Sequence, residues 1–310
     1  MKNPALVGSV LALAFLASGC GPAEAEFDAA AYRAKIMEWR EDRLASLLAP
    51  TGYLTQIGLF WLEDGSYTMG SAADNDIVLP PDAADRVARL VVSDGGVDMQ
   101  VEDGVDVRWN GQPVGEMVLP ADVSGDNVMV EHGSLAWSVI ERGGRLAVRV
   151  RDFEHPWLQS FGPIPYYPID PKWRVDATLS RYDEPRRITV NTVIEGFQQF
   201  PVAPGLARFE IDGVEYELEP QQSGDYLFFV FGDATNRDET YGAGRYLYAE
   251  MPGDDGTFVL DFNEAKSPPC AFNDFSTCPV ASPRNRLPIR VEAGEKYDEA
   301  LHYSGAAESG

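Results

Sequence analysis

What most constrains this chain is the stretch after Pro50, where strand-length runs follow one another with glycine, proline, asparagine or aspartate between them. LTQIGLFWL, RLVVS, VDMQVE, LAWSVIER, RLAVRVRDF, WRVDATLSRY, GLARFEI, VEYELEP, YLFFVFG, GRYLYAEM and GTFVLDFN are too short, and too rich in β-branched and aromatic residues, for helices. No crossover helix separates them, so antiparallel sheets are expected and a doubly wound parallel sheet is excluded. The chain is therefore of the mainly β class.

One helix is expected ahead of the strands, over residues 27–50. Tyr32, Ile36, Trp39, Leu44, Leu47 and Leu48 recur near helical spacing, Asp28 is placed to cap, and Pro50 stops the run. Residues 51–143 then read as a small antiparallel sandwich, with turns at Asp94-Gly95-Gly96, Asn110-Gly111 and His132-Gly133-Ser134. The order GSAADNDIVLP, WNGQPV and LAWSVIER resembles a forkhead-associated domain, a sandwich that binds phosphothreonine. Where that family has Gly-Arg this chain has Gly70-Ser71, and Asp85-Arg86-Val87-Ala88 replaces its Ser-Arg-x-His. The resemblance implies the sandwich and not the ligand.

Residues 145–298 read as a second antiparallel barrel or sandwich, and residues 299–310 as a flexible tail. Pro252-Gly253-Asp254-Asp255 suggests a hairpin joining GRYLYAEM to GTFVLDFN. Opposing Tyr246 to Phe262 and Tyr248 to Leu260 places the aromatics on one face. Arg245, Asn263 and Asp261 then fall on the other. With Glu239 and Tyr241 just upstream, these five polar groups form the candidate ligand or catalytic site: Arg245 for an anionic group, Asp261 or Glu239 as orienter or base. The alternative is an Arg245–Asp261 ion pair that closes one end of the fold.

RDFEHP, ETYGAGRYLY, LDFNEAKSPPCAF, TCP and NRLPIRVEAGEK resemble the blocks of the family known as domain of unknown function 1684, from near Trp39 and Arg40 to Lys296. The chain differs at Lys266-Ser267, where the resemblance implies an aromatic residue and an asparagine, and at His155, where it implies an asparagine. That family implies no activity.

Met1, Lys2 and the run VGSVLALAFLASGC look like an export signal too short to span a bilayer. Leu16-Ala17-Ser18-Gly19-Cys20 resembles a bacterial lipobox, so residues 1–20 are expected to end at an acylated Cys20. Gly21 after it favours the periplasmic face of the outer membrane. The formal net charge of −24 excludes nucleic acid as a partner and leaves membrane attachment to the acyl chains. Export leaves Cys270 and Cys278 as an even pair in an oxidising compartment. A disulfide contributing about 2.5 kcal/mol is the first reading, with a metal clip and a nucleophile as alternatives.

No Gly-x-Ser-x-Gly elbow, Walker loop or His-Glu-x-x-His helix occurs, and no cofactor or metal is expected. His132 and His155 read as loop residues. Trp157, Phe161, Tyr166, Tyr167 and Trp173 read as cover for a core. Two functions follow. One is an envelope lipoprotein that binds a small ligand or partner protein; the alternative is an envelope hydrolase or transferase with a carboxylate and an arginine in the second unit.

Overall fold

The computed structural model describes residues 27–125 and 128–304. The expected export signal with Cys20, and residues 305–310, lie outside them. The helix spans Ala29–Leu48, and Asp28 Oδ1 accepts from the N–H groups of Ala30 and Ala31 at 3.0 Å each. Its buried stripe is Tyr32, Ile36, Arg43 and Leu47, while Leu48 is exposed. An arginine enters that stripe because the helix packs on the second unit, where Glu295 receives it. Ile36 packs with Ile169, and Leu47 with Ala271 and Phe272.

The sandwich has a six-stranded sheet in the order Gln56–Leu62, Arg145–Asp152, Leu135–Arg142, Val130–His132, Arg108–Trp109, Gln112–Pro113. Facing it is a five-stranded sheet in the order Ile77–Val78, Gly65–Gly70, Ala88–Ser93, Gly96–Val101, Glu116–Val118. Trp137, Val148, Met69 and Leu90 meet in the core between them. The three turns expected from the sequence are where the chain reverses, with positive φ at Asp94, Gly95, Asn110, Gly111 and Gly133. Gly70 is required by close approach, since a Cβ there would lie 2.3 Å from the Asp85 carbonyl oxygen.

The expected boundary at 143/145 is corrected. Arg142 pairs with Arg145 across Gly143-Gly144, whose φ values of 61° and 77° make a tight hairpin. The run RLAVRVRDF is thus an inner strand of the sandwich, between Gln56–Leu62 and Leu135–Arg142.

The core of the second unit lies between two open sheets, a two-stranded ladder of Val190–Asn191 and Gln198–Gln199 stands apart from them, and no closed barrel forms among the described residues. One sheet runs Val214–Leu218, Val202–Ile211, Arg174–Arg187, Thr257–Asp261; the other runs Gln221–Ser223, Tyr226–Phe231, Arg245–Glu250. Phe209, Phe229, Phe231, Leu247 and Phe262 fill the space between. The proposed hairpin is overturned: Arg245–Glu250 pairs with Tyr226–Phe231, and Thr257–Asp261 with Arg174–Arg187, in the opposite sheet. The core side of Arg245–Glu250 is Leu247 and Ala249, so Tyr246 and Tyr248 turn outward, away from Leu260 and Phe262. Matching aromatics to aromatics had selected the wrong face. The expected tail is also corrected in part: within it Leu301 is buried and the Tyr303 N–H donates to Phe272 O at 2.8 Å.

Candidate functional site

The five predicted polar residues do not converge. Arg245 is fully buried; Nη2 donates to Asp233 Oδ2 at 2.7 Å and to Val291 O at 2.8 Å, and Nη1 donates to Ala293 O. Its carboxylate partner is Asp233 and not Asp261. Asp261 accepts the Tyr32 hydroxyl at 2.9 Å and the Asn263 N–H at 3.1 Å, so these two site residues meet around the helix. Asn263 Nδ2 also donates to the Tyr32 hydroxyl oxygen and to Asp170 O, both at 2.9 Å. Glu239 lies in a separate network, accepting from Tyr167, Arg290 and Lys296 at 2.9, 2.6 and 2.7 Å. Tyr241 packs near Cys270. Arg245 has its charge matched by Asp233, although its Nε is buried without a hydrogen-bond partner, and Glu239, Asp261 and Asn263 are engaged by their neighbours.

The other expected residues take structural places. His132 Nδ1 donates to Asp106 O at 2.9 Å while Nε2 accepts from the Ala84 N–H. His155 caps a short helix at the Trp157 N–H. Trp173 is in the core, and Phe161 stacks edge-on to Phe272. On the sandwich, Ser71 Oγ donates to Ala83 O, and Arg86 is taken up by Asp74 at 2.5 Å and by Asn75. Among the described residues no cluster of three or more His, Cys, Asp or Glu could hold a metal ion.

An open site appears where the sandwich meets the second unit. A cavity of about 270 Å³ is lined by Arg149 and Arg142 from the sandwich and by Phe228, Tyr246, Tyr248 and Cys278 from the second unit. The strand Arg145–Asp152 turns Leu146, Val148 and Val150 into the sandwich core, so Arg145, Arg149 and Arg151 share its other face. Arg145 lies over the Trp61 ring at 4.4 Å. Arg151 donates to Thr55 Oγ1 at 2.7 Å and to Gly52 O at 2.5 Å. Arg142 pairs with Asp122 at 2.8 Å. The Arg149 side chain makes no ion pair or hydrogen bond with any described residue, and its Nε is buried without a partner. Burial, with Arg142 and Arg151 nearby, pulls its guanidinium down to about 10. A desolvated cation without a counter-ion is unfavourable unless something else supplies the charge.

On the opposite wall, Cys270 and Cys278 stand as two buried free thiols, not joined in this structure. The Cys270 N–H donates to Cys278 Sγ at 3.1 Å. Burial pushes the Cys278 thiol up, but its interactions with the Cys270 thiol, the Cys270 N–H and the nearby Tyr246, with the Arg149 charge, outweigh it and leave it below the ordinary value. Cys270 moves the opposite way, raised first by its hydrogen bond to Cys278 and then by burial. Within this pair Cys278 is therefore the more readily ionised sulfur and Cys270 the less.

The sequence held a signal for Arg149 that was not taken: arginines at 145, 149 and 151 alternate with apolar residues in a strongly acidic chain. Assigning that strand to the second unit hid its outer face.

The family model described as "Protein of unknown function (DUF1684)" matches residues 159–296. The resemblance seen upstream, near Trp39 and Arg40, lies outside that match. Among solved structures, the chain is similar to an uncharacterized protein of Haloarcula marismortui, with 28% identity, 45% of this chain and 79% of that one covered, and a TM-score of 0.38. It is also similar to the FHA-2 domain of a Mycobacterium tuberculosis ABC transporter, with 30% identity, 28% and 77% covered, and a TM-score of 0.22. No curated protein matches the chain.

Proposed function

We propose, on the premise that residues 159–296 belong to the DUF1684 family, that this chain is a lipid-anchored envelope protein that binds a small anionic ligand beside Arg149. One observation carries the binding: in a chain of net charge −24, a half-buried guanidinium lines a cavity without an ion pair or hydrogen bond to any described residue. A carboxylate, sulfonate or phosphate entering the cavity supplies the missing charge and accepts hydrogen bonds from a fork already fixed by the sheet. The aromatic wall of Phe228 and Tyr248, stacked at 4.7 Å, gives the apolar part of such a ligand a surface. The lipid anchor rests on the sequence around Cys20. Among the described residues no helix is long and apolar enough to cross a membrane.

The alternative of a hydrolase or transferase built on a carboxylate and an arginine in the second unit has less support, because Arg245 is fully buried and its charge is matched by Asp233. The test of binding is thermal unfolding of the full chain with sulfate, phosphate or small dicarboxylates at constant ionic strength. A ligand at about a hundred times its dissociation constant raises stability by about 2.7 kcal/mol. The expected result is an anion-dependent rise in midpoint that disappears in Arg149→Gln. An equal rise in both proteins would place the anion elsewhere and end this reading.

A further inference from the structure

We propose that Cys278 and Cys270 form a redox-active pair that reduces a small anionic disulfide held by Arg149, Cys278 attacking first and Cys270 resolving. This rests on the anion-binding reading and adds the chemistry of the ligand. The geometry gives each group its place. Cys278 lines the cavity that Arg149 lines, and Cys270 does not line it, standing beside Cys278 among Val230, Tyr241 and Ala281. Of the two, only Cys278 is a residue of the cavity wall, and its sulfur lies 3.1 Å from the Cys270 N–H nitrogen, so the second cysteine stands directly behind the first.

The surroundings also select the reaction. A cysteine that performs acyl transfer works with a histidine or carboxylate that moves its proton. None of the described hydrogen bonds joins either thiol to such a group; the neighbours are Tyr241, Tyr246 and the Cys270 N–H. Thiol–disulfide exchange needs only a thiolate, a disulfide sulfur to attack and a second thiol within reach. The Cys278 thiolate attacks one sulfur of R–S–S–R, forming a mixed disulfide and releasing RS⁻. The Cys270 sulfur then attacks Cys278, forming the Cys270–Cys278 bond and expelling the second R–S group. The Cys270 proton leaves with one of the two departing thiolates. The protein dithiol loses two electrons and the substrate disulfide gains them, so no further oxidant or reductant is required.

The test uses the full chain carrying Cys20→Ser, reduced and freed of reductant, with two disulfides of similar size. One is 2,2′-dithiodiacetate, anionic at both ends; the other is bis(2-hydroxyethyl) disulfide, neutral. Released thiol and protein mass are followed together. The expected result is an intramolecular Cys270–Cys278 disulfide with two thiols released per chain, and, in Cys270→Ser, arrest at a mixed disulfide on Cys278. Arg149→Gln should slow the anionic reagent by about tenfold while changing the neutral one by less than about twofold, since only the former is drawn by the charge. Arg149→Lys should restore most of the anionic rate and serves as the folding control.

Inert thiols, a mixed disulfide on Cys270, or equal slowing of both reagents in Arg149→Gln would overturn the proposal. Anion binding is measured separately in Cys278→Ser by thermal unfolding with 2,2′-dithiodiacetate. Binding there with inert thiols in the parent removes the exchange and leaves the anion site. No binding there removes both.

Discussion

Two arginines in this molecule, one fully buried and one half-buried, are treated in opposite ways. Arg245, inside the second unit, has the Asp233 carboxylate and the carbonyls of Val291 and Ala293 around its terminal nitrogens. Arg149, between the sandwich and the second unit, has a cavity and two other arginines nearby. Burial of a cation is costly in both places. In the first the chain offsets that cost itself, and the residue holds sheet and loop together. In the second the only carboxylate charge that acts on it, Asp122, is already paired with Arg142 and offsets the cost in part, so the charge is available to something that arrives. An arginine read from sequence as a ligand anchor proved to be the first kind, and one not singled out proved to be the second.

The sharpest way to break this comparison is to remove one partner from the closed pair. Asp233→Asn leaves Arg245 charged and buried, and Arg245→Gln leaves Asp233 in the same state. Each is expected to lose roughly 3–5 kcal/mol of stability, read as the shift in denaturant midpoint at unchanged slope. Asp233 also accepts from the Thr235 N–H and hydroxyl, so the loop at 233–240 should loosen too. A loss under about 1 kcal/mol in either variant would mean that the pair is not what closes the core.

A smaller loss is expected at Arg43 and Glu295, where the helix Ala29–Leu48 is fastened to the second unit at 2.8 Å. Glu295 Oε2 also accepts the Ser267 N–H at 2.6 Å, and Arg43 Nη2 donates to Ser267 O at 3.0 Å, so some bonds survive either change. Arg43→Gln should cost roughly 2–3 kcal/mol. Amide hydrogen exchange should show the helix losing protection before the sheets. Equal loss of protection in helix and sheets would mean that the helix is not separately fastened.

The third substitution inverts the sign. Arg149→Gln removes a desolvated cation with no partner, so in anion-free buffer the stability should stay level or rise by up to about 1 kcal/mol. In the presence of a binding anion the order should reverse, the parent becoming the more stable. A clear loss of stability without any anion would make Arg149 a structural residue like Arg245, and the comparison would collapse.

How much of this was legible beforehand depends on which forces were local. The helix and its Asp28 cap, the hairpin turns at Asp94-Gly95 and Asn110-Gly111, and the sandwich class follow from backbone preferences acting over a few residues. Gly143-Gly144 is a signal of the same kind, and weighing it would have moved the sandwich boundary to Asp152. The pairing of Arg245–Glu250 was not local. It depends on whether Leu247 and Ala249 or Tyr246 and Tyr248 face the core, and tyrosine, which has an apolar body and a polar tip, fits a cavity wall as well as an interior. With that face misassigned, Arg245 was set beside Asp261, and its true partner Asp233, on the loop after the neighbouring strand, was missed. The cavity itself joins strands from both units and no sequence window contains it.

Between the closed pair and the open charge stands Glu239, whose three donors come from Tyr167, Arg290 and Lys296 at a solvent-exposed site. The bond from Lys296, then that from Tyr167, holds its carboxyl down to about 2, against an ordinary value near 4.3 in an unfolded chain. The folded state therefore favours the ionised form. Its contribution is present above about pH 4.3 and is lost as pH falls toward about 2, where both states are protonated. Because the site is exposed, water and salt screen the network, and this is the smallest effect of the four. Comparing parent and Glu239→Gln by denaturant midpoint between pH 5 and pH 2.5, the parent should lead at the upper end and the gap should close at the lower. Added salt at pH 5 should narrow the gap as well. A gap that stays constant across that range would mean that Glu239 acts through its packing and not its charge, and the intermediate case would then belong with neither arginine.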